Sequence, residues 1–390
     1  MVINVPNLRF KFDGEWKSYC LSDVVNRITR KNKNQACKLP LTISAQYGLI
    51  DQTTFFDKKV ASQNLQNYYL LLKGDFAYNK SYSKDYPWGA VKKLNFYDAG
   101  VVSNLYICFR PNDKINSSFL EIYFESDKWY KQISDIAGEG ARNHGLLNMS
   151  TPNFFETRHR FPCVKEQVEI SAFIKNIDER IEVQNKIINE LSSLSISIKT
   201  IVFSRWIHCP KIAIAHVVKE YDEKTVTDDM YPVLSSTSSG LYLQTDYFNK
   251  NASSDCTIGY KIVPFGYCTY RSMSDTGNFN FNKQNIIQNG LVSPAYPVFL
   301  VEKCSTDFLL ELLNNNDEIK KQIMKLKSGG TRFSLSFKKL SELKIPWPDQ
   351  KEREQATRLF DSVNKQLINE RMLLESLKRE KSFLLRNLFI

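Results

Sequence analysis

The 390-residue sequence lacks the patterns of several common protein classes. None of its eight cysteines forms a C-x-x-C pair and none is followed by a His-x-x-x-His pair, so the spacing supports no zinc site. No apolar run reaches the roughly 18 residues that a membrane span needs. The first residues also lack the apolar stretch of a signal peptide. We therefore expect reduced thiols and a cytoplasmic protein.

The sequence is equally poor in catalytic motifs. It has no G-x-x-x-x-G-K-[ST] phosphate loop, no Asn-Pro-Pro-Tyr or Asp-Pro-Pro-Tyr tetrapeptide, and no glycine-rich nucleotide loop. Gly138-Glu139-Gly140 is more typical of a turn than of a cofactor motif. Pro348-Asp349-Gln350-Lys351 superficially resembles a nuclease motif, but it stands where a helix is predicted to start, with Asp349 as a cap. We expect no catalytic residue, no metal site and no cofactor bound by this chain.

The composition indicates a folded protein with a polyanionic partner. Apolar residues make up 42% and aromatic residues 13% of the chain, which is enough for real hydrophobic cores. The formal net charge of +11 favours nucleic acid or an anionic membrane as the partner.

Two long segments, 166–205 and 351–390, contain neither glycine nor proline. In both, apolar residues recur at alternating spacings of four and three, which is the coiled-coil pattern. Every seam position of the second segment follows its counterpart in the first by 186 residues. We expect the helices to pack on each other, although each could instead pack on its own neighbouring domain. The predicted pairing residues are Ile174, Ile177, Ile181, Ile188, Leu191 and Ile198 with Phe360, Val363, Leu367, Leu374, Leu377 and Leu384.

The repeat extends into the globular parts. Gly100-Val-Val-Ser103-x-x-Tyr106-x-x-Phe109 recurs 190 residues later as Gly290-Leu-Val-Ser293-x-x-Tyr296-x-x-Phe299. Residues 104–110 and 295–302 are predicted strands, and residues 307–323 are a predicted helix. The predicted fold class is α+β: two repeated α+β globular domains, separated and followed by long helices that pair as a coiled coil. The predicted boundaries are 1–160, 161–205, 206–345 and 346–390.

This organisation resembles the specificity subunit of Type I restriction–modification systems over essentially the whole chain. The most specific feature is Pro162-x-x-x-Glu166-Gln167-x-x-Ile170 followed by the heptad helix, which looks like the central conserved region of that family. The distal copy, Pro348-x-x-x-Glu352-Arg353-x-x-Ala356, departs at two positions. The stretches 264–275 and 290–299 also look like recognition-domain sequence.

The resemblance implies a function without catalysis. Each globular half would be a target recognition domain that reads one half of a bipartite double-stranded DNA site. The two helices would pair as an antiparallel coiled coil and fix the separation. Two methyltransferase (modification) subunits would dock beside the helices, and restriction or translocase subunits could join. The methyl donor, ATP and magnesium would belong to those partners.

Candidate DNA contacts are polar loop residues, because phosphate contacts position a protein and base-edge contacts give it specificity. Arg142 and Arg332 occupy matching glycine-led loops, where the backbone can approach a phosphate closely. The predicted contacts in the first domain are Ser44, Gln46, Tyr47, Tyr78, Asn79, Lys80, Arg142 and Asn143. In the second domain they are Ser236, Thr237, Ser238, Tyr270, Arg271, Thr331 and Arg332.

Two other functions remain open at this point. The chain could be a stand-alone restriction endonuclease or methyltransferase with an unrecognised active site, although the missing motifs count against it. It could also be a coiled-coil scaffold that binds only protein. A steep dependence of DNA binding on salt would distinguish a DNA-binding subunit from such a scaffold.

Overall fold

The computed structural model describes residues 5–44, 47–53, 64–83, 86–137, 145–247, 256–326 and 332–390. The chain divides into two units. Unit 1 comprises Met1–Asn185 and Met372–Ile390, and unit 2 comprises Lys186–Arg371. Each unit therefore combines one globular half with parts of both long helices. The four-segment division made from the sequence stays a prediction.

Unit 1 is built from short strands and short helices followed by the first long helix. Its strands are β1 Lys17–Cys20, β2 Val25–Arg27, β3 Leu41–Ser44, β4 Gly48–Asp51, β5 Tyr69–Leu72, β6 Phe76–Asn79, β7 Ala90–Lys93, β8 Ala99–Val102, β9 Ile107–Pro111 and β10 Arg158–Phe161. Its helices are α1 Leu21–Val24, α2 Ser117–Tyr123, α3 Tyr130–Ile136, α4 Thr151–Glu156 and the start of α5 Val164–Arg205.

Unit 2 has the same kinds of elements and includes the start of the second long helix. Its strands are β11 Lys211–Ala213, β12 Val218–Tyr221, β13 Leu234–Thr237, β14 Gly240–Leu243, β15 Lys261–Pro264, β16 Cys268–Tyr270, β17 Met273–Ser274, β18 Phe281–Lys283, β19 Asn289–Val292, β20 Val298–Val301, β21 Phe333–Ser334 and β22 Lys344–Pro346. Its helices are α6 Gln244–Tyr247, α7 Thr306–Asn315, α8 Asp317–Lys325, α9 Phe337–Glu342 and α10 Gln350–Asn387.

The strand order repeats from one unit to the other. Unit 1 has a four-stranded antiparallel sheet in the order β2-β9-β6-β7, and unit 2 has its equivalent in the order β12-β20-β16-β18. The pairs β1-β10, β3-β4 and β5-β8 recur as β11-β22, β13-β14 and β15-β19. Even the small β17-β21 pair matches an isolated bridge between Ser81 and Leu146 in unit 1. The internal repeat in the sequence is therefore a repeat of the fold.

The long helices pack inside each unit in antiparallel order. In unit 1 the start of α5 shares a hydrophobic core with the end of α10, through Ile174 and Leu384 for example. In unit 2 the end of α5 meets the start of α10, where the rings of Phe203 and Phe360 lie 5.8 Å apart. Since α5 runs from unit 1 into unit 2 and α10 runs back, these contacts confirm the predicted fold class.

The heptad pattern gives the buried face of both helices. Seven of the predicted pairing residues are buried: Ile174, Ile177, Phe360, Leu367, Leu374, Leu377 and Leu384. Five are half-buried: Ile181, Ile188, Leu191, Ile198 and Val363. Burial of a large apolar side chain is worth about 1.5–3 kcal/mol, so this face is a main source of helix stability.

The two helices begin with the same backbone contact in spite of their different sequences. The side-chain amide of Gln167 donates to the carbonyl of Pro162 at 2.9 Å. Arg353, at the matching position of α10, donates from Nη1 to the carbonyl of Pro348 at 2.6 Å. Asp349 caps α10 by accepting a bond from the backbone N–H of Glu352 at 2.8 Å, as predicted. The arginine therefore replaces the glutamine without loss of this contact.

The boundaries of three elements predicted from the sequence are wrong. Residues 307–323 form two helices, α7 and α8, because Asn316 adopts an extended backbone conformation and caps α8 with its side chain. The predicted strands 104–110 and 295–302 begin later, at Ile107 and Val298. The residues before them form turns in which Ser103 and Ser293 accept backbone hydrogen bonds.

Candidate nucleic-acid interface

A polar cleft of about 890 Å³ opens beside the β13-β14 hairpin of unit 2. Its wall includes the hairpin residues Ser236, Thr237 and Ser238. The segment after β16 also lines the cleft, through Arg271 and Asp275. Hydroxyl, amide and guanidinium groups of this kind recognise base edges and phosphates.

The hairpin is fixed to the main sheet by one side chain. Asn282 of β18 donates from its amide nitrogen to Oγ of Ser236 at 2.9 Å and to the carbonyl of Thr237 at 3.0 Å. The Thr237 hydroxyl donates to the carbonyl of Gly240 at 2.9 Å and closes the turn. Ser238, at the tip, is exposed. The hairpin wall of the cleft is therefore preorganised, and it presents the exposed Ser238 to solvent.

The structure brings four of the predicted contacts of the second domain together. Ser236, Thr237, Ser238 and Arg271 all line the cleft, although they come from two segments of the sequence. Arg332 lies beside it, with Nε 2.8 Å from a carboxylate oxygen of Asp275. Thr331 lies outside the described residues. The role of each of these residues in DNA contact stays a prediction.

The predicted contacts of the first domain are more dispersed. Tyr47 is exposed (63%) at the β3-β4 turn, and its backbone N–H donates to Oγ of the buried Ser44 at 3.2 Å. Asn79 and Lys80 are half-buried at the end of β6, and Lys80 lines a small cavity of about 150 Å³. Three further predicted contacts, Gln46, Arg142 and Asn143, lie outside the described residues.

Two residues must be removed from the predicted contact set. Tyr78 and Tyr270 occupy the same place in the two units, and both side chains are 0% exposed. The ring of Tyr78 stacks on Phe154 at 4.9 Å, and that of Tyr270 lies 4.7 Å from Phe281. They are core residues because the strands β6 and β16 lie inside the four-stranded sheets, where alternate side chains face the helices.

Each unit also contains a polar junction between the long helices and its globular part. In unit 1, Lys381 of α10 bridges Asp178 of α5 at 2.5 Å and Glu125 at 2.8 Å. Burial disfavours the charge on Lys381, but the carboxylates of Glu125 and Asp178 outweigh it and raise the pKa of this lysine. The ammonium therefore joins the two long helices and the turn after α2 in unit 1.

The corresponding polar junction of unit 2 consists of different residues, and it also joins the two long helices to the globular part. Glu311 of α7 accepts bonds from Lys199 of α5 at 2.8 Å and from the side-chain amide of Asn364 of α10 at 2.9 Å. Asn364 follows Asp178 by 186 residues, so it is the repeat counterpart of an acid in unit 1. Each unit thus has its own arrangement of charges at the helix seam.

Comparison with known families agrees with this architecture. The family model of the Type I restriction modification DNA specificity domain matches twice, at residues 13–193 and 219–379. The chain belongs to this family. Each match contains one recognition domain and most of the helix that follows it, so the family's repeating module is the same as the repeat found in the sequence and in the strand order. No curated protein sequence matches the chain significantly.

Two solved structures share the fold of this specificity protein. One is the S subunit of a Type I restriction–modification system from M. genitalium, at 14% identity and a TM-score of 0.57, with 99% of each chain covered. The other comes from work on complex assembly and conformational transition of the type I R-M system, at 16% identity and a TM-score of 0.56, covering 96% of this chain and 98% of that one. No helix in the described part of the specificity chain is long and apolar enough to cross a membrane.

Sequence reasoning missed Asp275, which lines the cleft of the specificity domain, and Asn282, which fixes the hairpin beside it. Asn282 belongs to an alternating Asn-Phe-Asn-Phe-Asn stretch at 278–282. That alternation is typical of a strand with one apolar and one polar face, and it could have indicated a polar surface. Asp275 offered no such signal, because its partner Arg332 is distant in the sequence.

Proposed function

We propose that this chain is the subunit that gives a Type I restriction–modification complex its DNA specificity, with each recognition domain reading one half of a bipartite site. The supporting observation is the duplicated strand order combined with different polar residues at matching surface positions. Two domains that read different sequences need the same scaffold and different base-contacting residues.

The proposal assigns catalysis to other chains. Two methyltransferase subunits would dock beside α5 and α10, and restriction or translocase subunits would join them in the cytoplasm. The methyl donor, ATP and magnesium would be bound by those partners. This chain would contribute recognition and spacing only, and the pure chain should neither cleave nor methylate DNA.

Domain exchange tests the proposal directly. Residues 1–160 are replaced by another recognition domain of this family, and the methylated bases are mapped in cells that also express the methyltransferase subunits. We expect one half of the methylated sequence to change and the other half to persist. Loss of both halves together in a folded, assembled complex would contradict independent reading by the two domains.

Salt dependence separates this function from a scaffold that binds only protein. Binding of the assembled complex to its methylated sequence should weaken steeply as salt rises, because phosphate contacts release counterions from DNA. A complex that binds every DNA sequence equally, with or without this chain, would disprove the proposed function.

A further inference from the structure

Asn79 in unit 1 and Arg271 in unit 2 occupy the same place on the repeated scaffold. Asn79 ends β6, Arg271 directly follows β16, and the residue before each is a fully buried tyrosine. Because Tyr78 and Tyr270 are both anchored in the core, the residue that follows leaves the sheet at an equivalent point. The fold at this position is therefore the same in both units, whereas the side chain is asparagine in one and arginine in the other.

Arg271 is available to a ligand. Its side chain is exposed and lines the polar cleft of unit 2. The structure gives Arg271 no hydrogen bond or ion pair with any described residue, whereas the nearby Arg332 is paired with Asp275 at 2.8 Å. The charge of Arg332, beside the cleft, is thus already matched, whereas the five N–H donors of Arg271, in the cleft wall, are unengaged by the described part of the chain.

Asn79 offers different chemistry at the matching position. Its carbonyl oxygen accepts bonds from the backbone N–H of Ser81 at 3.1 Å and from the Ser81 hydroxyl at 2.8 Å. An amide whose oxygen is occupied in this way presents mainly its NH₂ group. The neutral amide of Asn79 in one domain and the charged guanidinium group of Arg271 in the other cannot make the same contact with DNA.

This difference indicates base reading rather than phosphate binding. The DNA backbone is the same at every sequence, so a contact that only positions the domain gains nothing by changing between the two copies. A contact that reads a base must change when the two half-sites differ. Arginine pairs with guanine through two parallel bonds to O6 and N7 in the major groove, which is the commonest specific contact of this side chain.

We propose that Arg271 reads a guanine in the half-site bound by the second recognition domain. The inference rests on the proposed function and adds to it a residue, a base and a mode of contact. Ser238, whose side chain is exposed at the tip of the hairpin, lines the same cleft.

The variants Arg271→Gln and Arg271→Ala test the proposal in the complex of the full chain with its methyltransferase subunits. The complex is used to select the DNA fragments that it binds from a library in which both half-sites are randomised. Methylated sites are also mapped in cells. Arg271→Ala should lower the preference for one G·C pair by between about fivefold and 150-fold, since a bidentate contact contributes that much discrimination. Arg271→Gln should shift the preference at the same position towards adenine, the base that glutamine pairs with.

The other half-site is an internal control, and it should stay unchanged in both variants. Arg358→Gln removes a surface arginine of α10 that is 69% exposed, and it should leave every position of the recognised sequence as it was. Uniform weakening at all sequences, with the salt slope reduced by about one unit, would mean that Arg271 holds a phosphate and would overturn the proposal. An unchanged preference at every position would overturn it as well.

Failure of the proposed function has a separate signature. If the wild-type complex recognises a bipartite sequence and only the Arg271 variants behave against expectation, the guanine assignment alone is wrong. If the wild-type complex selects no sequence from the library, both the guanine assignment and the proposed function are wrong.

Discussion

Lys381 of α10 places its ammonium 2.5 Å from a carboxylate oxygen of Asp178 of α5. Lys381 stands in the heptad seam, at the position that Ser195 holds in α5. A polar residue at a seam position makes one helix register better than its neighbours, because any shift leaves the charge without its partner. The pair therefore sets which turn of α10 meets which turn of α5 in unit 1.

The first prediction concerns the energy of this pair. Lys381→Met should lower the free energy of unfolding by about 1–3 kcal/mol, since it leaves Asp178 and Glu125 without their cation. A double-mutant cycle with Asp178→Asn, measured by denaturant unfolding, should give a coupling above about 0.5 kcal/mol. Lys378→Met is the matched control: its exposed pair with Glu375 should contribute less than about 1 kcal/mol. Equal effects of the two lysine variants would contradict the seam role.

The second prediction concerns acid. His159 is buried between Tyr123 and Thr157, whose hydroxyls lie 2.8 and 2.7 Å from its ring nitrogens, and burial lowers the pKa of His159 to about 3. The unfolded chain takes up a proton near pH 6.5 and the folded chain does not. The contribution of His159 to stability is therefore fully present above pH 6.5 and is lost towards pH 3, by up to about 1.4 kcal/mol per pH unit.

The slope of stability against pH is the measurement. His159→Gln should flatten this slope between pH 6.5 and 4.5, whatever its effect on stability at neutral pH. His216→Asn, which changes an exposed histidine of unit 2, should keep the wild-type slope. A steep slope that survives in His159→Gln would assign the acid sensitivity to other groups.

The third prediction uses the two matched tyrosines. The hydroxyl of Tyr78 donates to the carbonyl of Trp88 at 2.7 Å, whereas the buried hydroxyl of Tyr270 has no hydrogen-bond partner within the described structure. Tyr78→Phe should cost about 1 kcal/mol of unfolding free energy. Tyr270→Phe should be neutral or stabilising, because it removes a buried polar group that is unpaired. Thermal unfolding of both variants measures the difference. A larger loss of unfolding free energy for Tyr270→Phe than for Tyr78→Phe would show that the Tyr270 hydroxyl is not an unpaired buried group.

The fourth prediction treats the helices as the ruler between half-sites. One heptad inserted near Lys186 and another near Met372 keep the apolar seam in phase and lengthen the coil by about 10 Å. The gap between the methylated half-sites should grow by up to about 3 base pairs, with both half-sites retained. Insertion of two residues at each place should instead disturb the seam and impair folding or assembly. An active heptad variant that methylates at the original spacing would show that the helices do not set the distance.

The sequence predicted the helices and the repeat well because both are periodic. A residue such as Leu377 is buried as a consequence of its heptad position, and that position can be read directly from the sequence. The break at Asn316 was missed because a single capping asparagine interrupts an otherwise continuous apolar pattern. Tyr78 and Tyr270 were misplaced because a polar tip on an aromatic ring fits a core strand as well as a surface loop.

The cleft could be predicted only in part. Local polarity identified Ser236 and Arg271 separately, and the fold then brought them to one surface. The pairing of Arg332 with Asp275 depends on strands β17 and β21 lying side by side. Such a contact between residues 57 positions apart follows from the topology of the sheet, which no local pattern in the sequence encodes.

The strand pairs β1-β10 and β11-β22 have a consequence for inheritance. Lys17 lies opposite Phe161, and Lys211 lies opposite Pro346, so the chain enters and leaves each recognition domain at neighbouring points. A foreign domain that keeps this one pair of strands can be joined at the same two points without changing either long helix. Recombination between related genes could then exchange a whole recognition domain as one cassette and leave both long helices as they were.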